Sequence, residues 1–279
     1  MRVVEYEASR RGELAGLVER VWGRRADEQE LEWFYGGNPV DQASVLLAEE
    51  DGVVVGAVAI SFLRMSVGGQ EVKAGMPVHL ATDPAARGRG IFATLEAANE
   101  DRARAAGARL LFVTPTPASA AVLRGRLGWT PLPSLRVWAR LRLGHRRRRA
   151  RLVARFAPRP ESRRGAGDGV LRDSAWLNWR FADGPRRYGL LEGDGYAVVG
   201  RRGRFGVLAV AEGGLLGDAA AAARGPVLVA APPPWEHRSY ARAGYVPTPR
   251  ALALLGKSLD PALPLPGRPH FELGDLDIF

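Results

Sequence analysis

Residues 76–92, MPVHLATDPAARGRGIF, contain the feature that most restricts the fold of this chain. An apolar, strand-like run passes through a turn with two arginines and two glycines and continues as an amphipathic helix over residues 91–108. A second buried strand, RLLFVTP at 109–115, follows directly. A strand, a helix and a further strand in this order place helices against a sheet, so the segment predicts an α/β fold.

The neighbouring segments predict a strand-rich first half. Asp51-Gly52 between alternating apolar runs at 43–65 predicts a hairpin, whose strands are antiparallel. We therefore expect a mixed, largely antiparallel sheet flanked by helices. Further strands are predicted at 3–7, 71–82 and 135–143, and further helices at 13–22, 31–39 and 118–128. One face of the helix at 91–108 is marked by Leu95, Ala98, Arg102 and Ala105.

Landmarks of the first half recur in the second half. LEWFYGGNP at 31–39 aligns with WLNWRFADGP at 176–185, and the segment 109–133 aligns with 225–249. Between these landmarks the second copy is shorter by about 30 residues, which correspond to the arginine-glycine turn and most of the following helix. Only AEGGLLGDAAAAARG, at 211–225, remains there. The sequence therefore predicts two related domains, of which the second is smaller.

The net charge of +10 comes almost entirely from arginine, since only two of the 40 basic residues are lysines. We interpret this excess as a solvated basic surface and do not expect nucleic acid among the partners, although a nucleic-acid-associated protein is an alternative. The densest basic run, 145–155, lies in an Arg, Pro and Gly-rich segment. We predict a linker at 144–169 between a first domain, 1–143, and a second domain, 170–279.

The chain has no cysteine, and its four histidines lack the spacing of metal ligands. This composition excludes thiolate chemistry, and we expect no metal site. No apolar run approaches the length of a membrane helix, and the N-terminus lacks a signal-peptide core. We expect a cytoplasmic protein without membrane association, either a monomer or a homodimer.

The turn at 87–90 has the properties of an anion site. The first amide groups of a helix have no partner within the helix, and the helix dipole adds partial positive charge there. Gly88 and Gly90 would let the backbone approach a pyrophosphate, while Arg87 and Arg89 would add charged donors. An ordinary tight turn at a helix start is the alternative interpretation.

The succession of a strand, RGRGIF, an amphipathic helix, a buried strand and a helix ending in Leu-Gly-Trp resembles the GNAT superfamily of acetyl-CoA-dependent N-acetyltransferases. The resemblance covers residues 1–143. The family's pyrophosphate-loop pattern, Arg/Gln-x-x-Gly-x-Gly/Ala, falls on Arg87, Gly90 and Phe92. Phe92 stands where the family has a small residue. With the internal repeat, the resemblance implies a tandem protein whose degenerate second GNAT-like copy lacks the pyrophosphate loop.

The resemblance also implies cofactor-binding residues. Backbone groups of Leu80, Ala81 and Thr82 would contact the pantetheine arm as an added strand does. The helix at 118–127 would flank the thioester, and Arg124 is assigned to the cofactor-binding set because it stands where family members often carry a general-acid tyrosine. The pyrophosphate would be held by Arg87, Gly88, Arg89, Gly90, Ile91 and Phe92.

Both usual proton-handling groups are missing from the first half, because Val78 stands where a carboxylate base is often found. His79 is the candidate base, since imidazole titrates near neutral pH. Strand alternation favours a merely structural His79, whereas a bulge in its strand would favour catalysis. Tyr240 occupies the position in the second copy that Arg124 has in the first, and it is a candidate catalytic residue or, more simply, a core tyrosine.

The C-terminal segment 271–279, FELGDLDIF, alternates apolar and acidic residues and predicts an edge strand. Its carboxylates, Glu272, Asp275 and Asp277, would orient a cationic amine, with a solvated tail as the alternative.

The resemblance implies that the chain transfers an acetyl group from acetyl-CoA, as co-substrate, to the amine of a small-molecule acceptor by direct attack. The degenerate second copy is expected to shape the acceptor pocket. The alternative, which the two missing groups favour, is a catalytically silent acyl-CoA-binding or interaction module.

Overall fold

A computed structural model describes residues 1–23, 26–142, 150–159 and 167–276 of the chain. They divide into two compact units. The first contains Met1–Leu132 and Leu254–Pro266, and the second contains Pro133–Ala253 with the described residues from Gly267 onward. Half of the segment predicted as a linker, 144–169, lies outside the described residues. The predicted domain boundaries therefore stay a prediction.

The order of elements predicted for the first half is confirmed. Its strands are β1 (Arg2–Glu5), β2 (Ser44–Glu50), β3 (Val53–Val67), β4 (Gln70–Thr82), β5 (Leu110–Val113) and β6 (Thr130–Leu141). Its helices are α1 (Arg11–Trp22), α2 (Glu28–Gly36), α3 (Ile91–Ala105) and α4 (Pro117–Leu127).

The second half continues with strands and shorter helices. Its strands are β7 (Arg151–Val153), β8 (Gly169–Leu171), β9 (Gly189–Glu192), β10 (Tyr196–Arg202), β11 (Phe205–Glu212), β12 (Val227–Ala230) and β13 (Val246–Ser258). Its helices are α5 (Ser174–Phe181), α6 (Leu216–Ala222) and α7 (His237–Arg242).

The sheet of the first unit has the strand order β1-β2-β3-β4-β5, and the end of β13 pairs with β5. All of these neighbours are antiparallel except β4 and β5, which α3 connects in parallel. The predicted hairpin turn lies between β2 and β3, where Asp51 and Gly52 both have positive φ angles, 49° and 79°. The mixed, largely antiparallel sheet flanked by helices is confirmed.

Two irregularities open this sheet beside β4. The parallel ladder of β4 and β5 joins only Ala74 to Leu110 and Gly75 to Leu111. Beyond Gly75, no described strand pairs with the edge of β4 that faces away from β3. The ladder of β3 and β4 also shifts register near His79, whose φ of 53° is left-handed. This bulge changes the alternation of side chains along the end of β4.

The face of α3 that the sequence marks is only partly buried, since Leu95 is buried and Ala98 is half-buried. Arg102 and Ala105 are exposed, and two carboxylic acids are buried instead. The buried residues of α3 are Ile91, Leu95, Glu96, Asn99, Glu100 and Ala103. Glu100 accepts hydrogen bonds from Trp129 Nε1 and Lys257 Nζ, which makes its burial tolerable. Neither carboxyl oxygen of Glu96 has a hydrogen-bond partner among the described residues. Burial raises the pKa of Glu96 to about 8, and the nearby Glu100 adds to the rise.

The sheet of the second unit has the order β6-β12-β11-β10-β9-β7. Only β11 and β12 are parallel, and α6 connects them. The order of strands and connections is therefore the one seen in the first unit, with a helix of seven residues in place of the 15-residue α3. This shared order supports a degenerate second copy, which stays a prediction.

The described part of the C-terminal segment, 271–276, forms neither an edge strand nor a solvated tail, so both interpretations were wrong for these residues. Residues 271–276 are buried in a turn within the second unit. Asp275 forms two hydrogen bonds with the buried guanidinium of Arg172, and Glu272 contacts the same group at 2.9 Å. Burial alone would lower the pKa of Arg172, but Asp275 and Glu272 raise it above its usual value. Asp277 lies outside the described residues.

Candidate functional site

A cleft of about 740 Å³ opens in the first unit where β4 and β5 separate. Its volume falls in the range of small-molecule sites. Leu80 and Thr82 of β4 form one wall, and the turn before α3 forms the end. The opposite wall comes from the first turns of α4, and Val21 and Trp22 of α1 lie at its edge.

The end of the cleft presents backbone donors. Gly88 and Gly90 both have a φ of 80°, a left-handed conformation that favours glycine. Gly90 caps α3, and its carbonyl oxygen accepts a hydrogen bond from the N–H of Thr94 at 3.1 Å. The amides of residues 91–93 have no partner among the described residues. With the dipole of a 15-residue helix behind them, these amides form a site for an anion.

Arginines supply the charge around this end of the cleft, and none of the lining residues is acidic. Arg87 lines the cleft, and its Nε donates to the carbonyl oxygen of Thr82 at 3.4 Å. Arg126 of α4 lines the other side, with a guanidinium nitrogen 3.8 Å from where a Cβ on Gly90 would lie. The cleft therefore combines free amides with two cationic groups.

Asp83 fixes the turn before α3 to α1. Its carboxylate accepts from Arg20 at 2.6 Å and from the amide of Ala85 at 3.0 Å. The hydrogen bond from Arg20 lowers the pKa of Asp83, with a smaller contribution from that amide. Because Asp83 stays ionised at neutral pH, the bridge holds the C-terminal end of α1, with Trp22, against the cleft.

Most of the predicted cofactor-binding residues lie together at this cleft. Those that line it are Leu80, Thr82, Arg87, Gly88, Gly90, Ile91 and Phe92. Three others do not. Ala81 is buried in β4, and Arg89 forms an ion pair with Glu50 at 2.6 Å. Arg124 is exposed on α4 and does not line the cleft.

Sequence reasoning missed the residues of α4 that do line the cleft. Thr116 caps the helix by accepting from the amide of Ser119 at 3.2 Å, and both residues line the cleft. The lining positions within α4, which are 118, 119, 121, 122 and 126, lie on one side of the helix. Position 124 lies off that side. Helical spacing counted from the start of α4 at Thr116-Pro117 could have indicated Arg126, and not Arg124, as a residue that lines the cleft.

His79 lies at the bulge of β4, directly before the lining residue Leu80. Its Nδ1 is 2.8 Å from the hydroxyl oxygen of Tyr35, and its ring packs 5.0 Å from that of Phe34. The bulge named above as favouring a catalytic His79 is therefore present. A left-handed conformation is uncommon for a residue other than glycine and is concentrated at functional sites.

Tyr240, the second candidate catalytic residue, lies in the core of the second unit. Its side chain has no exposed surface, and its ring packs edge-on against Tyr245 at 5.1 Å. The surrounding buried residues include Trp138, Leu216 and Leu228. This placement agrees with the simpler interpretation of a core tyrosine.

Two further expectations concern metals and membranes. Within the described ranges, no group of three or more histidine or carboxylate side chains is arranged to hold a metal ion. A search of the same ranges finds no helix with the length and apolar character needed to cross a membrane.

Comparison with known proteins finds a family resemblance within the first unit. Residues 3–132 match the sequence model of the acetyltransferase (GNAT) domain. No curated protein matches the chain in sequence. Residues 3–132 are therefore similar in sequence to a GNAT acetyltransferase domain.

Solved structures resemble the chain in fold. A GCN5-related N-acetyltransferase from Kribbella flavida has a TM-score of 0.68 at 16% identity, covering 93% of this chain and 71% of its own. A second one, from Anabaena variabilis, has a TM-score of 0.64 at 13% identity, covering 93% and 73%. Eis1 from Mycobacterium abscessus has a TM-score of 0.59 at 16% identity, covering 91% and 73%. Identities this low establish the fold alone.

Proposed function

We propose that the first unit is an N-acetyltransferase that transfers the acetyl group of acetyl-CoA to the amine of a small-molecule acceptor by direct attack. The observation that carries the proposal is the cleft, because it joins an unpaired strand edge to a cationic helix start. An acyl-CoA thioester has two groups that match these features in the same order. Its amide-bearing pantetheine arm can pair with the strand edge, and its dianionic pyrophosphate can bind at the helix start.

The residues of the cleft fit acyl-CoA. Pyrophosphate oxygens would accept from the amides of residues 91–93 and from Arg87 and Arg126. The arm would follow Leu80 and Thr82, since no strand occupies that edge of β4. Bound there, acetyl-CoA supplies an activated acyl carbon.

The chain's own groups then position the acceptor amine and remove its proton. His79 is the proposed base. In that role its Nδ1–H donates to the Tyr35 hydroxyl oxygen, 2.8 Å away, which leaves Nε2 to accept the proton. Direct attack needs little beyond this positioning and one proton acceptor. No side chain is proposed as the general acid, because Arg124 lies off the cleft.

The test measures acetyl-CoA binding by calorimetry and thiol release against a panel of small amines. Arg126→Gln is expected to weaken acetyl-CoA binding by at least about tenfold, because a charge-assisted hydrogen bond is worth roughly 1.5–3 kcal/mol. Arg124→Gln is the matched control on the same helix and should leave binding unchanged. Equal effects of the two substitutions would refute the cleft assignment.

The alternative is a catalytically silent acyl-CoA-binding module. One observation favours it: none of the residues that line the cleft is a tyrosine, histidine or carboxylic acid. Steady thiol release that requires both acetyl-CoA and an amine, and that is lost in Arg126→Gln, would eliminate this alternative. Saturable acetyl-CoA binding with no turnover against any amine would support it instead.

A further inference from the structure

The second unit has a cleft of its own, also of about 740 Å³. It lies beside β11, α6 and α7, and every residue that lines it belongs to the second unit. This cleft lies next to the parallel strands β11 and β12, as the first cleft lies next to the parallel strands β4 and β5. Its function is not explained by the proposed acetyl transfer.

The cleft is lined by two arginines without acidic partners. Arg140 of β6 is half-buried, and Arg242 of α7 is exposed. Among the described residues neither forms an ion pair. The guanidinium of Arg140 lies 5.9 Å from the centre of the Tyr245 ring, and its Nε is 3.7 Å from where a Cβ on Gly244 would lie. Arg140 is therefore held in place at the cleft by a cation–π contact, with its donors available to a ligand.

The C-terminal segment excludes a pantetheine arm from this unit. β11 and β12 pair only at Gly206–Leu228 and Val207–Val229, so the edge of β11 beyond Val207 is not paired with β12. Gly274 N–H donates to the Ala209 carbonyl oxygen at 2.8 Å, and a carboxyl oxygen of Glu272 accepts from Ala211 N–H at 3.1 Å. A Cβ on Gly274 would lie 2.9 Å from the Cβ of Ala209. The chain itself thus fills the edge that an extended cofactor arm would need.

We propose that this second cleft binds a small phosphate monoester, with the phosphate on Arg140 and Arg242. A phosphate oxygen pair matches the planar fork of a guanidinium, and Ser239 adds a hydroxyl at the same cleft. Glu236 also lines the cleft, so a hydroxyl-bearing organic group suits the remaining space better than a second anion. The site is distinct from the acetyl-CoA cleft and does not rest on its activity.

The experiment titrates the full chain with ribose 5-phosphate, inorganic phosphate and succinate by calorimetry. Ribose 5-phosphate is expected to bind more tightly than succinate. Arg140→Gln and Arg242→Gln are each expected to weaken that binding by at least about tenfold. Arg238→Gln is the matched control for Arg242, since Arg238 is exposed on the same helix and does not line the cleft.

Arg126→Gln separates the two clefts, because it alters the first one only. Ribose 5-phosphate binding that is lost in Arg126→Gln and kept in Arg140→Gln would overturn the proposal. Absence of binding to the wild-type chain, or tighter binding of succinate, would overturn it as well. Arg242→Gln changes an exposed side chain, so it keeps the test decisive if Arg140→Gln lowers the thermal stability.

Discussion

Replacing Glu96 by glutamine is expected to stabilise the first unit at neutral and alkaline pH. Glu96 is completely buried on α3, its carboxyl oxygens have no described hydrogen-bond partner, and its pKa is raised to about 8 from 4.5. Between those values the unfolded chain is ionised at this position while the folded chain keeps the proton. The unfolded state therefore binds fewer protons, and the free energy of unfolding falls as pH rises.

The size of the expected stabilisation follows from the change of the free energy of unfolding with pH. One proton of difference changes the free energy of unfolding by about 1.4 kcal/mol per pH unit, so this single group costs about 3 kcal/mol between pH ~5.5 and ~7.5. A glutamine of similar shape does not ionise and removes that slope. We expect Glu96→Gln to resemble the wild type near pH ~5 and to exceed it in stability by about 3 kcal/mol near pH ~7.5.

The assay is urea unfolding of both proteins across this pH range, followed by tryptophan fluorescence, to which Trp22, Trp33 and Trp129 of the first unit contribute. Glu100→Gln is the control. Glu100 accepts from Trp129 Nε1 and Lys257 Nζ, so its neutralisation should destabilise the unit by roughly 2–3 kcal/mol. Parallel pH slopes for Glu96→Gln and the wild type would refute the reasoning, because they would mean that Glu96 is ionised in the folded protein.

Three further predictions concern single positions. Tyr35→Phe should change the pH profile of kcat/KM and leave acetyl-CoA affinity unchanged, because the Tyr35 hydroxyl contacts His79 Nδ1 and Tyr35 does not line the cleft; a loss of affinity by calorimetry would contradict this. Gly90→Ala should lower the free energy of unfolding by about 1 kcal/mol, because Gly90 has a positive φ, and it should also weaken acetyl-CoA binding. The control Gly125→Ala, at an exposed position of α4, should have neither effect. Equal shifts in thermal melting temperature for the two variants would contradict this prediction. Asp275→Asn should lower the free energy of unfolding of the second unit by about 3 kcal/mol, since it leaves a buried guanidinium without its main partner; urea unfolding that stays within about 0.5 kcal/mol of the wild type would contradict it.

The order of elements in the first half could be predicted because its signals are local. The Asp51-Gly52 turn needs no distant partner, and Gly128 ends α4 in the left-handed conformation expected of a helix C-terminus. The arginine-glycine turn was similarly readable, since an anion site at a helix start follows from the helix itself. These parts of the fold and of the cleft are fixed within a few residues of sequence.

What the sequence left open depends on distant contacts. Glu100 can be buried on α3 only because Lys257, far along the chain, reaches it. The C-terminal segment resembles an edge strand until Arg172 is known to lie against Asp275. The partners of β6 and β13 could not be predicted either. β6 follows the helices of the first half but pairs with β12 in the second unit, and β13 follows those of the second half but its end pairs with β5 in the first unit. Periodicity cannot reveal partners of this kind.

The central claim is that the first unit holds one acyl-CoA in the cleft between β4 and α4. The most direct measurement is calorimetric titration of the wild-type chain with acetyl-CoA, CoA and a longer acyl-CoA. We expect saturable binding at one site per chain, with CoA bound nearly as tightly as acetyl-CoA because the pyrophosphate would contribute most of the contacts. Absence of binding, or binding at two equal sites, would contradict it.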